Sequence, residues 1–226
     1  MTLMLPFSLL SLFSPLLPTG SFTWSQGLEK AVEDGIVTDA DSLGGWVRDA
    51  AERGIACTEL PLLIRMNEAL VRGDDTAFLS LVSLNMAVRA TAELRLEEYE
   101  KGRALFGILP SLGVDPALFP ESPQPWKGSG YLPLLSLAAV RLGIALQDLL
   151  RGFVFAYVET MVMAGAKTIP LGQSAAWREI TAILADIGPC IEAASAVPED
   201  EIGAGLVRFA IESARHETMY SRIYRN

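Results

Sequence analysis

The stretch Leu146–Trp177 is the most apolar part of the chain and constrains its fold more than any other feature. Between Gly152 and Ala166 the only charged residue is Glu159, and apolar side chains fall on every side of a 3.6-residue period. Such a pattern is typical of a helix that is buried all round. We therefore predict a central core helix over about residues 146–167, followed by a fixed turn at Pro170–Gly172.

A membrane span is the first alternative for this stretch. A transmembrane helix needs about 20 uninterrupted apolar residues, whereas this run is shorter, contains Glu159 and is flanked by Arg151 and Lys167. These charges favour a core helix and no membrane partner. A membrane-associated helical protein stays open as an alternative, because the mean hydropathy is +0.32 and the N-terminus is apolar.

Composition indicates a packed domain that has partners. Of the 226 residues, 50% are hydrophobic and 20% are charged, which excludes disorder as the main state and predicts apolar surface for an oligomer or complex to cover. The chain has 18 Lys and Arg against 27 Asp and Glu, a net charge of -9. This balance argues against nucleic acid as a partner.

The order of apolar and glycine-bounded segments predicts an all-α protein with no strand. We expect one domain over residues 1–226, a bundle of roughly eight to ten helices around the central helix. It begins with an apolar N-terminal arm (1–17) that docks on the core. The other helices are predicted at 22–34, 38–53, 58–72, 75–109 with a possible break, 131–142, and 174–194 with a possible bend at Gly188–Pro189. A proline-rich connection occupies 112–127.

Helix ends are predicted from capping residues. Thr38 with Asp41 resembles a capping box, and Asp74 or Asp75 is expected to cap the next long helix. Gly35 and Gly73 stand where a left-handed residue closes a helix at little cost.

A run of charges marks the middle of the chain, with Glu93, Glu97 and Lys101 at a spacing that puts them on one helix face. We interpret this face as solvated, the usual state of such a run. The alternative is a small helical enzyme with a carboxylate metal site built from Glu93, Glu97 and Glu159. For Glu159 itself we favour internal hydrogen bonds within the core.

Catalytic signatures are mostly absent from the sequence. His216 is the only histidine, and Cys57 and Cys190 are far apart, so neither a histidine-based triad nor a site with several His or Cys ligands can be assembled from motifs. The two cysteines are expected to be free thiols in a cytoplasmic protein. We predict that the chain is not an enzyme.

Three stretches carry a resemblance to a known family. They are Leu-Pro-Thr-Gly-Ser-Phe-Thr-Trp-Ser-Gln-Gly-Leu-Glu at 17–29, Ala-Gly-Ala-Lys with Pro-Leu-Gly-Gln at 164–173, and Arg-His-Glu-Thr-Met-Tyr-Ser-Arg-Ile-Tyr-Arg at 215–225. Together with Glu93-Leu94-Arg95, they resemble the urease accessory protein UreF family, in order over nearly the whole chain. Ser21 and Met219 depart from the residues common there, a second small residue and glutamine.

The resemblance implies an all-α homodimer that does no chemistry of its own. Proteins of this family bridge a scaffold protein, UreD or UreH, to the GTPase UreG, and so help to deliver nickel to apo-urease. The chain would then need no cofactor, since nickel and GTP belong to its partners.

The resemblance and the side-chain chemistry together assign two sets of partner-binding residues. The set on the UreG side is Glu29, Glu93, Arg95, Tyr157, Lys167 and Gln173. The set on the UreD/UreH side is Arg215, His216, Tyr220, Arg222 and Tyr224, in a C-terminal tail of about 215–226. Arginine and tyrosine dominate interface hot spots. We expect this tail not to bury itself, and to become ordered only on the scaffold protein.

Overall fold

The computed structural model describes residues 7–120 and 129–225. The other parts of the predicted arm, proline-rich connection and tail lie outside the described residues. Within these ranges the chain forms eleven α-helices and no β-strand, which confirms the all-α fold. The helices are α1 (Phe7–Leu12), α2 (Leu28–Glu33), α3 (Ala40–Asp49), α4 (Glu59–Arg72), α5 (Asp75–Ala87), α6 (Ala92–Ile108), α7 (Tyr131–Arg141), α8 (Leu146–Thr168), α9 (Gln173–Asp186), α10 (Gly188–Ala193) and α11 (Val207–His216).

Helix α8 is the central helix, with the bounds that the sequence predicted. It packs against α1, α2, α3, α4 and α9. The prediction that α8 is buried all round is wrong, because Phe155 and Met163 are exposed on one side. Apolar periodicity cannot separate a core face from an apolar face that reaches the surface. Part of this helix is therefore available for contact.

The length and composition of α8 also meet the requirement for a membrane span. It is the one helix of the described residues to do so, and half of its most apolar 18-residue window is buried inside the protein. An apolar core helix of a soluble protein passes the same test.

The remaining helices surround the central helix α8 and its neighbours. Helix α4 packs against α5, α7 and α8, and α7 packs against α6. Helix α11 contacts both α2 and α6, two elements that are distant in sequence. The last helix therefore brings the C-terminal residues to a junction of three elements.

Several helix ends differ from the predicted ones. Asp39, rather than Thr38, caps α3, because its carboxylate accepts a hydrogen bond from the Ser42 N–H at 2.9 Å while the Ser42 hydroxyl accepts one from the Asp39 N–H. Helix α2 begins only at Leu28, after Gly27 with a φ of 83°. The Asp74 cap of α5 is confirmed. The predicted helix over 174–194 is two helices, α9 and α10, and Pro189 lies in the first turn of the second.

Candidate functional site

The C-terminal tail folds back onto the body of the protein. The Arg225 N–H donates to the Thr23 carbonyl at 2.9 Å, and the Arg225 guanidinium lies 4.7 Å from the centre of the Trp24 ring. The ring of Tyr224 is buried, and its hydroxyl donates to the Ala164 carbonyl on α8 at 3.3 Å. The prediction that the tail does not bury itself is therefore wrong for Tyr224, whereas Tyr220 and Ile223 are exposed.

Glu29 on α2 holds the tail through both of its carboxylate oxygens. Its side chain is only 8% exposed. Its two carboxylate oxygens accept hydrogen bonds from the Ile223 N–H at 2.7 Å and the Tyr224 N–H at 2.9 Å, and one of them lies 3.2 Å from His216 Nε2. A carboxylate that satisfies backbone donors in this way orders the segment that carries them.

Glu93 on α6 holds the tail from the other side. One oxygen accepts from Arg222 Nη1 at 2.9 Å, and the other lies 2.9 Å from His216 Nδ1. Burial raises the pKa of Glu93, against the lowering effect of His216 and Arg222, and the net shift is upward. The exposed fraction of His216 is 0%. We call Glu29, Glu93, His216, Arg222 and Tyr224 the tail cluster.

The tail cluster joins residues that the sequence analysis assigned to two different partners. Glu29 and Glu93 were predicted on the UreG side, and His216, Arg222 and Tyr224 on the UreD/UreH side. In the structure the His216 and Arg222 side chains and the Tyr224 N–H all bind to Glu29 or Glu93, so these residues do not form two separate surfaces.

The prediction that the Glu93, Glu97 and Lys101 face is solvated is also wrong. Glu93 and Glu97 are each 6% exposed. Glu97 accepts from Gln26 Nε2 at 3.1 Å and from Lys101 Nζ at 3.2 Å. Burial lowers the pKa of Lys101, but the charges of Glu97, Tyr131 and Glu98 raise it by more. The i, i+4 spacing places these residues on one face of α6, and α7 and α11 pack against α6 and cover that face.

A second buried charge cluster was not predicted at all. Arg89 forms an ion pair with Glu59 and donates from Nη2 to the Asn85 amide oxygen at 2.7 Å. Glu98 accepts from Asn85 Nδ2 at 2.7 Å and from the Leu132 N–H at 2.8 Å. Burial lowers the pKa of Arg89, but Glu59 and Glu98 raise it above its ordinary value overall. We call Glu59, Asn85, Arg89 and Glu98 the Arg89 cluster.

The other predicted residues lie at or near the surface. Lys167 and Gln173 are exposed at the corner between α8 and α9, close in sequence to the exposed Trp177. Arg95 is exposed and donates to the Arg89 carbonyl at 2.7 Å.

On the tail, Tyr220 is fully exposed, whereas Arg215 forms an ion pair with Asp34 at 2.6 Å. Exposed residues on the α8–α9 corner and on the tail thus form two candidate contact surfaces.

A groove of about 520 Å³ lies between α11, the turn that follows α3 and the connection between α5 and α6. Its lining is mostly apolar and includes Phe209, Ile211 and Leu94. Tyr157 and Gln26 line this groove and also two smaller cavities of about 50 and 30 Å³. Burial raises the pKa of Tyr157 well above its ordinary value. Tyr157 is therefore an internal residue of this groove.

The alternative carboxylate site does not assemble. Glu93 and Glu97 contact the tail and Gln26, whereas Glu159 lies on α8 beside Leu17 and Phe22. Over residues 7–120 and 129–225, no group of three or more His, Cys, Asp or Glu side chains is arranged to hold a metal ion.

The internal hydrogen bonds predicted for Glu159 are not found among the described residues. Burial raises the pKa of its carboxyl group. Cys57 and Cys190 are both free, as expected.

The sequence matches known proteins over nearly its whole length. Residues 37–184 match the family model UreF. The chain is 41% identical to the urease accessory protein UreF of Pseudomonas putida over 223 residues, covering 96% of each chain. It is 39% identical to that of Alcanivorax borkumensis, covering 97% of each, and 37% identical to that of an Enterobacter species, covering 96% of each. The chain therefore belongs to the UreF family of urease accessory proteins.

Proposed function

We propose that this chain acts in urease maturation as a non-catalytic adaptor between a UreD/UreH-type scaffold protein and a UreG-type GTPase. The observation that carries the proposal is its match to urease accessory proteins over 96% of its length. In the proposed role nickel and GTP are handled by the partners, apo-urease is the recipient, and the adaptor works in the cytoplasm.

The tail supports the scaffold contact. Tyr220 is fully exposed and Ile223 is 69% exposed, while the segment around them is fixed by the tail cluster. Tyrosine and arginine are over-represented in interface hot spots. A segment that is already ordered loses less conformational entropy on binding. In this proposal Tyr220 and Arg222 contact the scaffold protein, and His216 and Tyr224 hold the tail in shape.

The corner between α8 and α9 supports the GTPase contact. Lys167 and Gln173 are exposed there, and the exposed Trp177 adds an apolar anchor of the kind found in interfaces. Arg95 is the other exposed member of the predicted UreG set. Glu29, Glu93 and Tyr157 are buried or half-buried, so in this proposal they act by shaping the structure behind the surface.

The proposal includes a homodimer. Val207 and Ile211 on α11 are exposed and line the 520 Å³ groove. Together with the apolar lining of the groove they form a continuous apolar patch, which a second copy of the chain would cover. Light scattering on the purified chain tests this part. A mass of two chains is expected, and a monomer at every concentration would contradict it.

Restoration of urease activity tests the proposed function. In a urease-producing cell whose own UreF-type gene is deleted, the chain is expected to restore activity. Tyr220→Ala and Lys167→Ala are each expected to lower it by roughly ten-fold, as hot-spot loss does. Glu199→Ala changes an exposed residue that is assigned to neither surface, so it is the matched control and should match the parent chain. No restoration by the parent chain together with its cognate partners would contradict the proposal.

A further inference from the structure

The single histidine of the chain lies between two buried carboxylates. His216 Nδ1 is 2.9 Å from a Glu93 oxygen, and Nε2 is 3.2 Å from a Glu29 oxygen. The three side chains come from α6, α11 and α2, and all of them are more than nine-tenths buried. Solvent therefore cannot take the place of a missing partner.

These distances fix the number of protons that the set of Glu29, His216 and Glu93 carries. An ionised carboxylate only accepts hydrogen bonds, and a neutral imidazole has one N–H and one bare nitrogen. Both contacts are hydrogen bonds only if the imidazole carries two N–H groups or one carboxyl group is protonated. The geometry therefore requires one proton more than a neutral imidazole with two carboxylates.

The neighbouring charges agree with this count. With the extra proton, Glu29, Glu93, His216 and Arg222 sum to zero. Without it they carry one uncompensated negative charge, which is costly because the two carboxylates are buried, while the Arg222 side chain is 41% exposed. Two other titratable groups interact with these carboxylates: Glu217 raises the pKa of Glu93, and Glu29 raises that of Tyr224. On α11, Glu212 and Arg215 are the charged residues nearest to His216 in sequence.

Glu212 and Arg215 form their own pair, and Arg215 also pairs with Asp34 on α2. Glu217 is exposed and acidic. None of these groups supplies the missing positive charge.

We propose that the Glu29–His216–Glu93 set is a proton-dependent latch for the C-terminal tail. The tail is docked while the set holds its extra proton, and it loosens when a rise in pH removes that proton. A bare ring nitrogen then faces a carboxylate oxygen across 2.9 or 3.2 Å, and the buried charge is no longer balanced. Because the same two carboxylates hold Arg222 and the Ile223 and Tyr224 backbone, the loss spreads along the tail.

The direction follows from the proton count, because the two contacts of His216 need one proton more than a neutral imidazole with two carboxylates, and a rise in pH removes it. The upward shift of the Glu93 pKa agrees with this direction. Burial sets the pKa of this carboxyl above its ordinary value, against His216 and Arg222. A group whose pKa is raised by folding contributes stability at low pH and loses it as pH rises through the folded value. Docking of the tail is therefore favoured on the acidic side.

The test is a pH titration of the full chain labelled with ¹⁵N-histidine. Because His216 is the only histidine, its two ring nitrogens give unambiguous signals. The titration runs from about pH 5 upward, through the range in which an imidazole changes charge. Trypsin cleavage after Arg222 is measured on the same samples and reports whether the tail is docked.

We expect protection from trypsin while the set holds its extra proton, and cleavage that rises at the pH where the histidine signals change. A fixed neutral tautomer with no titratable carboxyl proton beside a protected tail would overturn the proposal. So would trypsin protection that stays constant over the whole pH range measured.

The Glu93→Gln variant tests whether the docked tail needs the extra proton, because it supplies a hydrogen-bond donor in place of that proton. A glutamine can accept from Arg222 through its oxygen and donate from its nitrogen to a bare Nδ1, so a neutral imidazole satisfies both neighbours. This variant should keep the tail protected at the pH where the parent chain releases it. Glu217→Gln removes a nearby exposed charge without touching the ring and is the control, expected to release its tail at nearly the same pH as the parent. Equal release by the parent and by Glu93→Gln would contradict the latch.

Discussion

At the scale of single residues, Glu29 is the position on which the tail depends most. Replacing Glu29 with alanine leaves the Ile223 and Tyr224 N–H groups without their acceptor and removes the partner of His216 Nε2. Buried donors that lose a partner cost about 1–3 kcal/mol each. We expect Glu29→Ala to lower the free energy of unfolding by about 2–4 kcal/mol, measured by urea denaturation.

Glu33→Ala is the matched control for this measurement. Glu33 lies on the same helix but is exposed, and it pairs with the neighbouring Lys30. Its replacement should change the free energy of unfolding by less than about 0.5 kcal/mol. Equal stability of the Glu29→Ala and Glu33→Ala variants would contradict the described tail contacts.

Arg89 carries a prediction that is independent of the tail. Replacing it with methionine keeps much of the side-chain volume but leaves Glu59 and Glu98 as buried carboxylates without their cation. Breaking a buried pair in this way costs about 3–5 kcal/mol. Urea denaturation should show that loss for Arg89→Met.

Arg72→Met is the control, because Arg72 pairs with Glu68 at the exposed surface. It should change the free energy of unfolding by less than about 1 kcal/mol. If the two methionine variants unfold at the same urea concentration, the Arg89 cluster is not a buried network.

The sequence singled out residues of the tail cluster but could not place them in the fold. His216, Arg222 and Glu29 were selected by resemblance and by interface chemistry. Their burial could not be predicted, because His216 reaches Glu93 across 123 residues and Glu29 across 187. Helical spacing describes neighbours three or four residues apart and gives no information on such contacts.

At the scale of elements, glycine positions determine how closely helices approach. Gly102 on α6 is buried, and a Cβ atom there would lie 2.5 Å from the carbonyl carbon of Gly130, before α7. Backbone atoms cannot yield as a flexible side chain can. We expect Gly102→Ala to destabilise the protein by about 1–3 kcal/mol through overpacking, as seen in its melting temperature.

Gly107 gives the control within the same helix. A Cβ atom at Gly107 meets no atom within 4 Å. Alanine is favoured over glycine in a helix by about 1 kcal/mol, so Gly107→Ala should leave the melting temperature unchanged or raise it. A lower melting temperature for Gly107→Ala than for Gly102→Ala would contradict the packing described here.

Local sequence signals predicted the elements well where the cause is local. Gly73 closes α4 in the left-handed conformation that glycine adopts easily, and the Asp74 side chain caps the start of α5. The solvated face predicted for α6 was wrong because α7 and α11 cover it from elsewhere in the chain. Tertiary packing determines which charged residues are buried, and the sequence pattern within α6 does not predict it.

At the scale of the whole molecule, the tail connects parts of the protein that the proposed partners would use. It is held by α2 and α6, and through Tyr224 it contacts Ala164, one turn of α8 before Lys167. The proposed scaffold surface and the proposed GTPase surface therefore share one packed structure. An adaptor with this arrangement should bind both partners at the same time.

The most direct test of the adaptor role is the mass of the complex formed from purified components. The chain is mixed with a UreD/UreH-type protein and a UreG-type GTPase, and the mixture is separated by size-exclusion chromatography with light scattering. We predict a single species that contains all three proteins and is lost when the adaptor is omitted. Direct binding of the two partners without the chain, or no complex that contains the chain, would contradict the account.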